Sequence, residues 1–93
     1  MIVGFADKET EKVWSGTLSR RLPAAIQQRS RLKLRMLHAA VRLDDLRVPP
    51  ANRLEALSGD RRGQHSIRIN DQWRICFCWR DGQASEVEIA DYH

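Results

Sequence analysis

The side chains with chemical capacity gather in the second half of this 93-residue chain. Arg68 and Arg74 flank a short polar turn, Glu55 precedes them, and the sequence closes on Asp91, Tyr92 and His93. Guanidinium groups clamp a phosphate through a planar fork of N–H donors that a point charge does not reproduce. Ionisable groups beside such a clamp meet what metal-free cleavage of an RNA phosphodiester requires. The 2′-hydroxyl must lose a proton, the phosphorane needs positive partners, and the 5′-oxygen must gain a proton as it leaves. Each residue also admits a plain structural role. Arg74 can pair with Glu88 or Glu55, Tyr92 can cap the edge of the core, and His93 can be a frayed end.

Other chemistries find less support. The sequence has no phosphate loop, dinucleotide fingerprint or Ser-His-Asp spacing, and its three histidines, His38, His65 and His93, form no metal motif. Neither a metal nor a cofactor is expected. Cys76 and Cys78 are the only cysteines. On a strand they share one face and lie too near in sequence for an ordinary disulfide or a stand-alone zinc site, which suggests free thiols in a reducing compartment. The amino terminus, MIVGFADKETE, turns acidic before any apolar run develops, and no apolar run approaches the length of a transmembrane helix. A cytoplasmic protein with no membrane contact is expected.

The elements that must position the arginines follow from two alternating runs. Ile67 and Ile69 oppose Ser66 and Arg68; Trp73, Ile75, Phe77 and Trp79 oppose Arg74, Cys76, Cys78 and Arg80. Two period-2 runs joined by a polar turn predict an antiparallel hairpin with one buried face. A two-residue loop at Asn70-Asp71 would set Ile67 on the face of Arg74. An odd loop, residues 70 to 72, pairs Ile69 with Trp73 and Ile67 with Ile75, so that both apolar faces coincide. That register sets Arg68 across from Arg74. Like charges facing each other on a sheet are mildly destabilising, which makes sense if something anionic sits between them.

Around this hairpin the chain predicts one domain, residues 1–93, of class α+β in the order β-α-α-β-β-β-β, with the helices on one face of a twisted sheet. Met1 to Phe5 reads as a strand. Asp7 caps a helix over about Lys8 to Trp14, with Glu9 and Glu11 in its first turns. Pro23 opens a long helix to about Val41. Its apolar stripe takes Leu22, Ala25, Ile26, Leu32, Met36, Leu37 and Ala40; Gln27, Gln28, Arg31, Arg35, His38 and Arg42 form a solvated back. Pro49-Pro50 ends the helical region, Asn52 to Leu57 reads as a strand before an SGDRRG turn, and Asp81-Gly82 turns into a last strand over Ser85 to Ile89 with Val87 and Ile89 inward.

Charge is unevenly spread. Residues 1–48 hold ten Lys/Arg against five Asp/Glu, residues 49–93 six against seven, and Arg20 to Arg35 include six basic residues and no acidic one. Such asymmetry suits a phosphate backbone or an acidic protein partner, and equally a solvated helix back.

The segments GDRRGQHSIRINDQWRICFCW and VEIADYH resemble the HigB-type branch of the RelE/ParE superfamily, the toxins of bacterial type II toxin–antitoxin modules. The resemblance extends over most of the chain and is strongest from Asn52 onward. It implies a small microbial-RNase-like (RelE-like) fold and ribosome-dependent cleavage of messenger RNA in the A site. It also implies neutralisation by a HigA-like helix-turn-helix antitoxin, with operator DNA bound by the toxin–antitoxin complex. By the same resemblance Arg74 matches the catalytic arginine, and Asp91, Tyr92 and His93 match a terminal DYH implicated in activity. Tyr92 would stack on a base or orient the phosphate, and His93 or Asp91 would shuttle a proton. Where some relatives carry a histidine and a lysine, this chain has Glu55 and Ser58. Glu55 retains a candidate base, while Ser58 supplies no positive charge, a role left to Arg53, Arg61 or Arg68 as RNA-binding residues. Arg31, Arg35 and Arg42 are the candidate partner-binding residues. ParE-like relatives share the fold and act on gyrase, so the fold alone leaves the target open.

Overall fold

A computed structural model of the chain describes residues 1–91. Two helices, α1 (Lys8–Trp14) and α2 (Ala24–Ala39), precede a four-stranded antiparallel sheet in the order β1 (Glu55–Ala56), β2 (His65–Arg68), β3 (Trp73–Arg80) and β4 (Gln83–Asp91). Asp7 caps α1, its carboxylate accepting the Thr10 N–H at 2.6 Å, as its place before the first acidic turn predicts.

The hairpin has the anticipated register. Ile67 pairs with Ile75 and Arg68 with Arg74, and the Ile69 N–H donates to the Trp73 carbonyl at 2.9 Å. The Asn70 side chain closes the odd loop by accepting the N–H groups of Gln72 and Trp73. At the next turn Asp81 and Gly82 both take positive φ, 51° and 78°, the twist a two-residue hairpin needs. Between β3 and β4, the two steps from Cys76 to Cys78 oppose the three from Glu88 to Ser85, and the extra residue is taken up with Glu86 at φ 51°. This bulge leaves Phe77 fully buried between the strands' inner faces and the helices.

Ile67, Ile69, Ile75, Phe77, Val87 and Ile89 meet Val13, Ile26, Leu34 and Leu37 in the main core. Trp73 packs against that core while half-buried. The Thr10 hydroxyl accepts the Ile89 N–H at 2.9 Å, fastening α1 to β4.

Three expectations need correction. Residues 1–6 lie along the outer edge of β4 in parallel, through isolated bridges from Ile2 to Ala84 and Phe5 to Val87, rather than as a full strand. The strand foreseen over Asn52 to Leu57 shrinks to Glu55–Ala56, because Pro50–Asn52 forms a 3-10 turn and Arg53 takes a left-handed φ of 45°. On α2, Leu32 and Met36 are exposed, while Gln27, Ser30, Lys33 and Leu34 are buried. Polar residues occupy the inward stripe because each finds a partner there. Gln27 bonds Ser19 and the Leu22 carbonyl, Ser30 the Ile26 carbonyl, and Lys33 the Asn52 amide.

Candidate active site

The outer face of the sheet is made by the residues that alternate with the core: Ser66 and Arg68 on β2, Arg74 and Cys76 on β3, Glu88 and Ala90 on β4. Arg74 is the centre of this face, and it is buried, only 8% exposed. Its Nε donates to Ser66 Oγ at 2.7 Å, its Nη2 to the Arg53 carbonyl at 2.7 Å, and the Glu55 carboxylate stands 3.9 Å from Nη2. The left-handed turn at Arg53 aims that carbonyl at the guanidinium. Acceptors from the Arg53 turn and from β2 allow the guanidinium to lie down on the sheet.

Arg68, directly across, bends the other way. It donates to the Asn70 carbonyl at 3.1 Å and pairs with Asp71 in the turn. No external anion is therefore needed to reconcile the facing arginines, since each has acceptors of its own. Between them lies an open cleft of about 230 Å³ lined by Arg53, Arg68, Asn70, Asp71 and Arg74. Three guanidinium-bearing residues at one concavity concentrate positive charge and N–H donors there, the chemistry that suits a phosphate group.

The other candidates fall around this cleft unequally. Glu55 does not line the cleft; its half-exposed carboxylate reaches it only through Arg74. Arg61 does not line the cleft; it bonds Glu88 at 3.0 Å and Gln64 at 3.1 Å. Asp91 pairs with Trp73 in the strand register, so alternation sends its side chain to the face opposite Arg74, where Gln72 donates to it at 3.0 Å. Tyr92 and His93 lie outside the described residues. Of the candidate partner-binding arginines, Arg35 on α2 is exposed, and so is Arg42, which lies beyond the end of α2 rather than on its back as expected, because the helix stops at Ala39. Arg31 instead folds into a groove of about 370 Å³ formed with Val13, Gly16 and Leu18, its guanidinium against Gly16.

Beneath the arginines, Cys76 is fully buried, and burial pushes its thiol up despite the nearby Arg61 and Arg74. Cys78 is half-buried; both thiols are free. Among the described residues no group of three or more His, Cys, Asp or Glu side chains could hold a metal ion, and no helix is long and apolar enough to cross a membrane. Sequence reasoning missed Ser66 as a site residue. Its signal was there, a small hydroxyl on the polar face two positions before Arg68.

The sequence that builds this sheet and its arginine cleft matches a known family. The model for HigB-like toxins, described as the RelE-like toxin of the type II toxin–antitoxin system HigB, matches residues 3–93. The chain belongs to this family. It is 42% identical over 85 residues, 90% of either chain, to Toxin HigB-1 of Vibrio cholerae. It is also 29% identical over the full length of both chains to a Proteus vulgaris protein named Endoribonuclease HigB. A Haemophilus influenzae protein of undescribed role is 31% identical over 74 residues, 80% of this chain and 73% of its own length. The α+β architecture agrees with the RelE-like fold, and membership in a type II toxin family implies an antitoxin partner.

Proposed function

We propose that this chain is a metal-independent endoribonuclease that cuts messenger RNA in the ribosomal A site and is neutralised by a HigA-like helix-turn-helix antitoxin. The observation that carries the proposal is the buried, doubly anchored guanidinium of Arg74 at the wall of an arginine-lined cleft. A cation fixed in advance and shielded from water stabilises charge developing on a phosphorane without reorganising. Arg53 and Arg68 hold the phosphate oxygens from the other walls. Glu55 takes the 2′-hydroxyl proton, a role supported by its carboxylate standing 3.9 Å from Arg74 Nη2. Tyr92 stacks on a base or orients the phosphate. His93 returns a proton to the leaving 5′-oxygen; Asp91 suits this step less well, because its carboxylate meets Gln72 on the other face. The Proteus vulgaris relative, whose name states endoribonuclease activity, supports the same chemistry.

Single-turnover cleavage of a ribosome-bound message by folded, purified variants tests the assignment. Arg74→Ala should lower the rate about a hundredfold or more, the usual cost of a lost transition-state charge contact. Deleting His93 should slow cleavage while ribosome binding persists, and mapped transcript ends should fall in frame within translated regions. Wild-type rates for both variants would overturn the nuclease and leave a toxin of this fold that blocks gyrase or another target.

The antitoxin and, in the complex, operator DNA would meet the basic side of α2 and the segment that follows it. Arg35 and Arg42 offer exposed guanidiniums, and Arg31 reaches the neighbouring groove. Reversing Arg31 and Arg35 to Glu should weaken complex or operator binding and flatten its salt dependence. Unchanged affinity for both at low and high salt would return this side of the helix to ordinary solvation.

A further inference from the structure

A second depression, of about 210 Å³, adjoins the arginine cleft. The two share Arg68, Asn70 and Asp71, so the turn between β2 and β3 is the ridge dividing them. The far wall of the second is Arg29 and Lys33 of α2. Neither residue has a part in the cleft already described.

Lys33 is an unusual group to bury. It is 9% exposed, and its Nζ donates to Asn52 Oδ1 at 2.5 Å. Asn52 is itself fully buried, and its amide donates to the Leu46 carbonyl at 3.2 Å, which fixes its oxygen toward the lysine. Neither Lys33 nor Arg29 forms an ion pair with a described residue. Asp71, the one carboxylate among the described residues that line the depression, is paired with Arg68. Burial, and secondarily the charge of Arg29, push the Lys33 ammonium's pKa down. An ammonium taken out of water and given one neutral acceptor is poorly compensated, and an arriving anion offsets that cost.

Resting on the nuclease assignment above, we infer that the depression formed by Arg29 and Lys33 is a second phosphate subsite, holding a phosphodiester of the same RNA strand whose scissile phosphate lies in the arginine cleft. A strand crossing the β2–β3 turn would place one phosphate on either side of Arg68. Among the described residues no aromatic side chain lines the second depression, so none of them offers a stacking platform for a base there. It holds backbone and fixes the register of the strand without reading sequence.

The experiment uses the purified protein and a ladder of 2′-deoxy-substituted, non-cleavable oligonucleotides with one, two, three and four phosphodiesters. For the wild type, affinity should step up about tenfold when the strand becomes long enough to cross the turn, the worth of one charge-assisted hydrogen bond. The double variant Arg29→Gln, Lys33→Met should lose that step and bind the one-phosphodiester ligand as the wild type does. Its plot of log affinity against log salt for the longest ligand should be shallower by about 0.7 for each lost contact. Arg29→Gln alone, at an exposed position, should lose part of the step without endangering the fold. A step retained in both variants, no step in the wild type, or no binding by the wild type overturns the subsite. Arg74→Ala on the same ladder should weaken every ligand alike. If it does so while the helix variants change nothing, the subsite falls and the cleft stands. If Arg74→Ala changes nothing while the helix variants abolish the step, the subsite stands and the cleft assignment falls.

Discussion

The two faces of the sheet are buried to similar depth and serve opposite ends. On the inner face Ile67, Ile75 and Phe77 are fully covered by helices. On the outer face Ser66 and Cys76 are equally inaccessible, and Arg74 nearly so, although none of them belongs to the core cluster that the helices share. Among the described residues, Leu57 and Ala90 pack with Cys76, and the arginine is laid over Ser66. Burial alone therefore does not separate core from site in a domain this small. The separation lies in the partners. The inner face is satisfied by dispersion and exclusion of water, the outer by charged donors on short acceptors, an arrangement that is specific in direction and sensitive to a single lost atom.

The largest expected effect would break the inner face. Phe77→Ala should cost roughly 3–5 kcal/mol, because the ring is fully buried in the main core beside the bulge. Denaturant titration checks this, and a loss below about 1 kcal/mol would mean that the helices do not seal that face. A smaller effect sharpens the outer face. Ser66→Ala removes the acceptor for Arg74 Nε and should lower single-turnover cleavage about tenfold, with the fold retained. Because Ser66 acts only through Arg74, the same substitution in an Arg74→Ala background should add little further loss of rate. A full additional tenfold drop there would show that Ser66 meets the substrate itself. Arg74→Lys should recover only part of the wild-type rate, since an ammonium cannot span both Ser66 and the Arg53 carbonyl.

The smallest effect concerns the thiols. Cys78 should alkylate ahead of Cys76 in the native protein, and Cys76 only as the fold opens. Since burial raises the Cys76 thiol, the folded state keeps its proton where the unfolded chain has lost it. Stability should thus be unaffected below the ordinary thiol range and fall as pH rises above it, and Cys76→Ala should flatten that alkaline limb. Equal alkaline slopes for the two proteins would show that the thiol is not insulated.

Much of the hairpin was legible because two period-2 patterns had to share a face, which left one loop length and therefore one register. The Asp7 cap was legible for a similarly local reason. The α2 stripe was not. Ser30 and Lys33 look outward on hydropathy, and only the Ile26 carbonyl and the distant Asn52 make their burial tolerable. The site was legible in its residue types, Arg68, Arg74 and Glu55, and in the like-charged pair across the hairpin. Its depth was not. That Arg74 would lie buried depended on the turn at Arg53, whose left-handed backbone no neighbouring glycine announces. The step from an arginine cleft to a toxin family came from the resemblance of the hairpin and the terminal DYH, and the family match carries it across residues 3–93.

The segment running along β4 has a bearing on how this molecule behaves in a crowded solution. A free outer strand displays a ladder of unpaired amides and carbonyls, a template on which other chains can polymerise. Here Val3 and Ala6 donate to Ala84 and Val87, and Met1 and Gly4 accept from the same two residues, so the longest strand offers little of its rim to a neighbour. At the opposite margin β1 is two residues long, too brief to seed a growing stack. A protein that presents so little open sheet edge can stay dispersed without covering its basic, arginine-rich surface, leaving that surface available for polyanions.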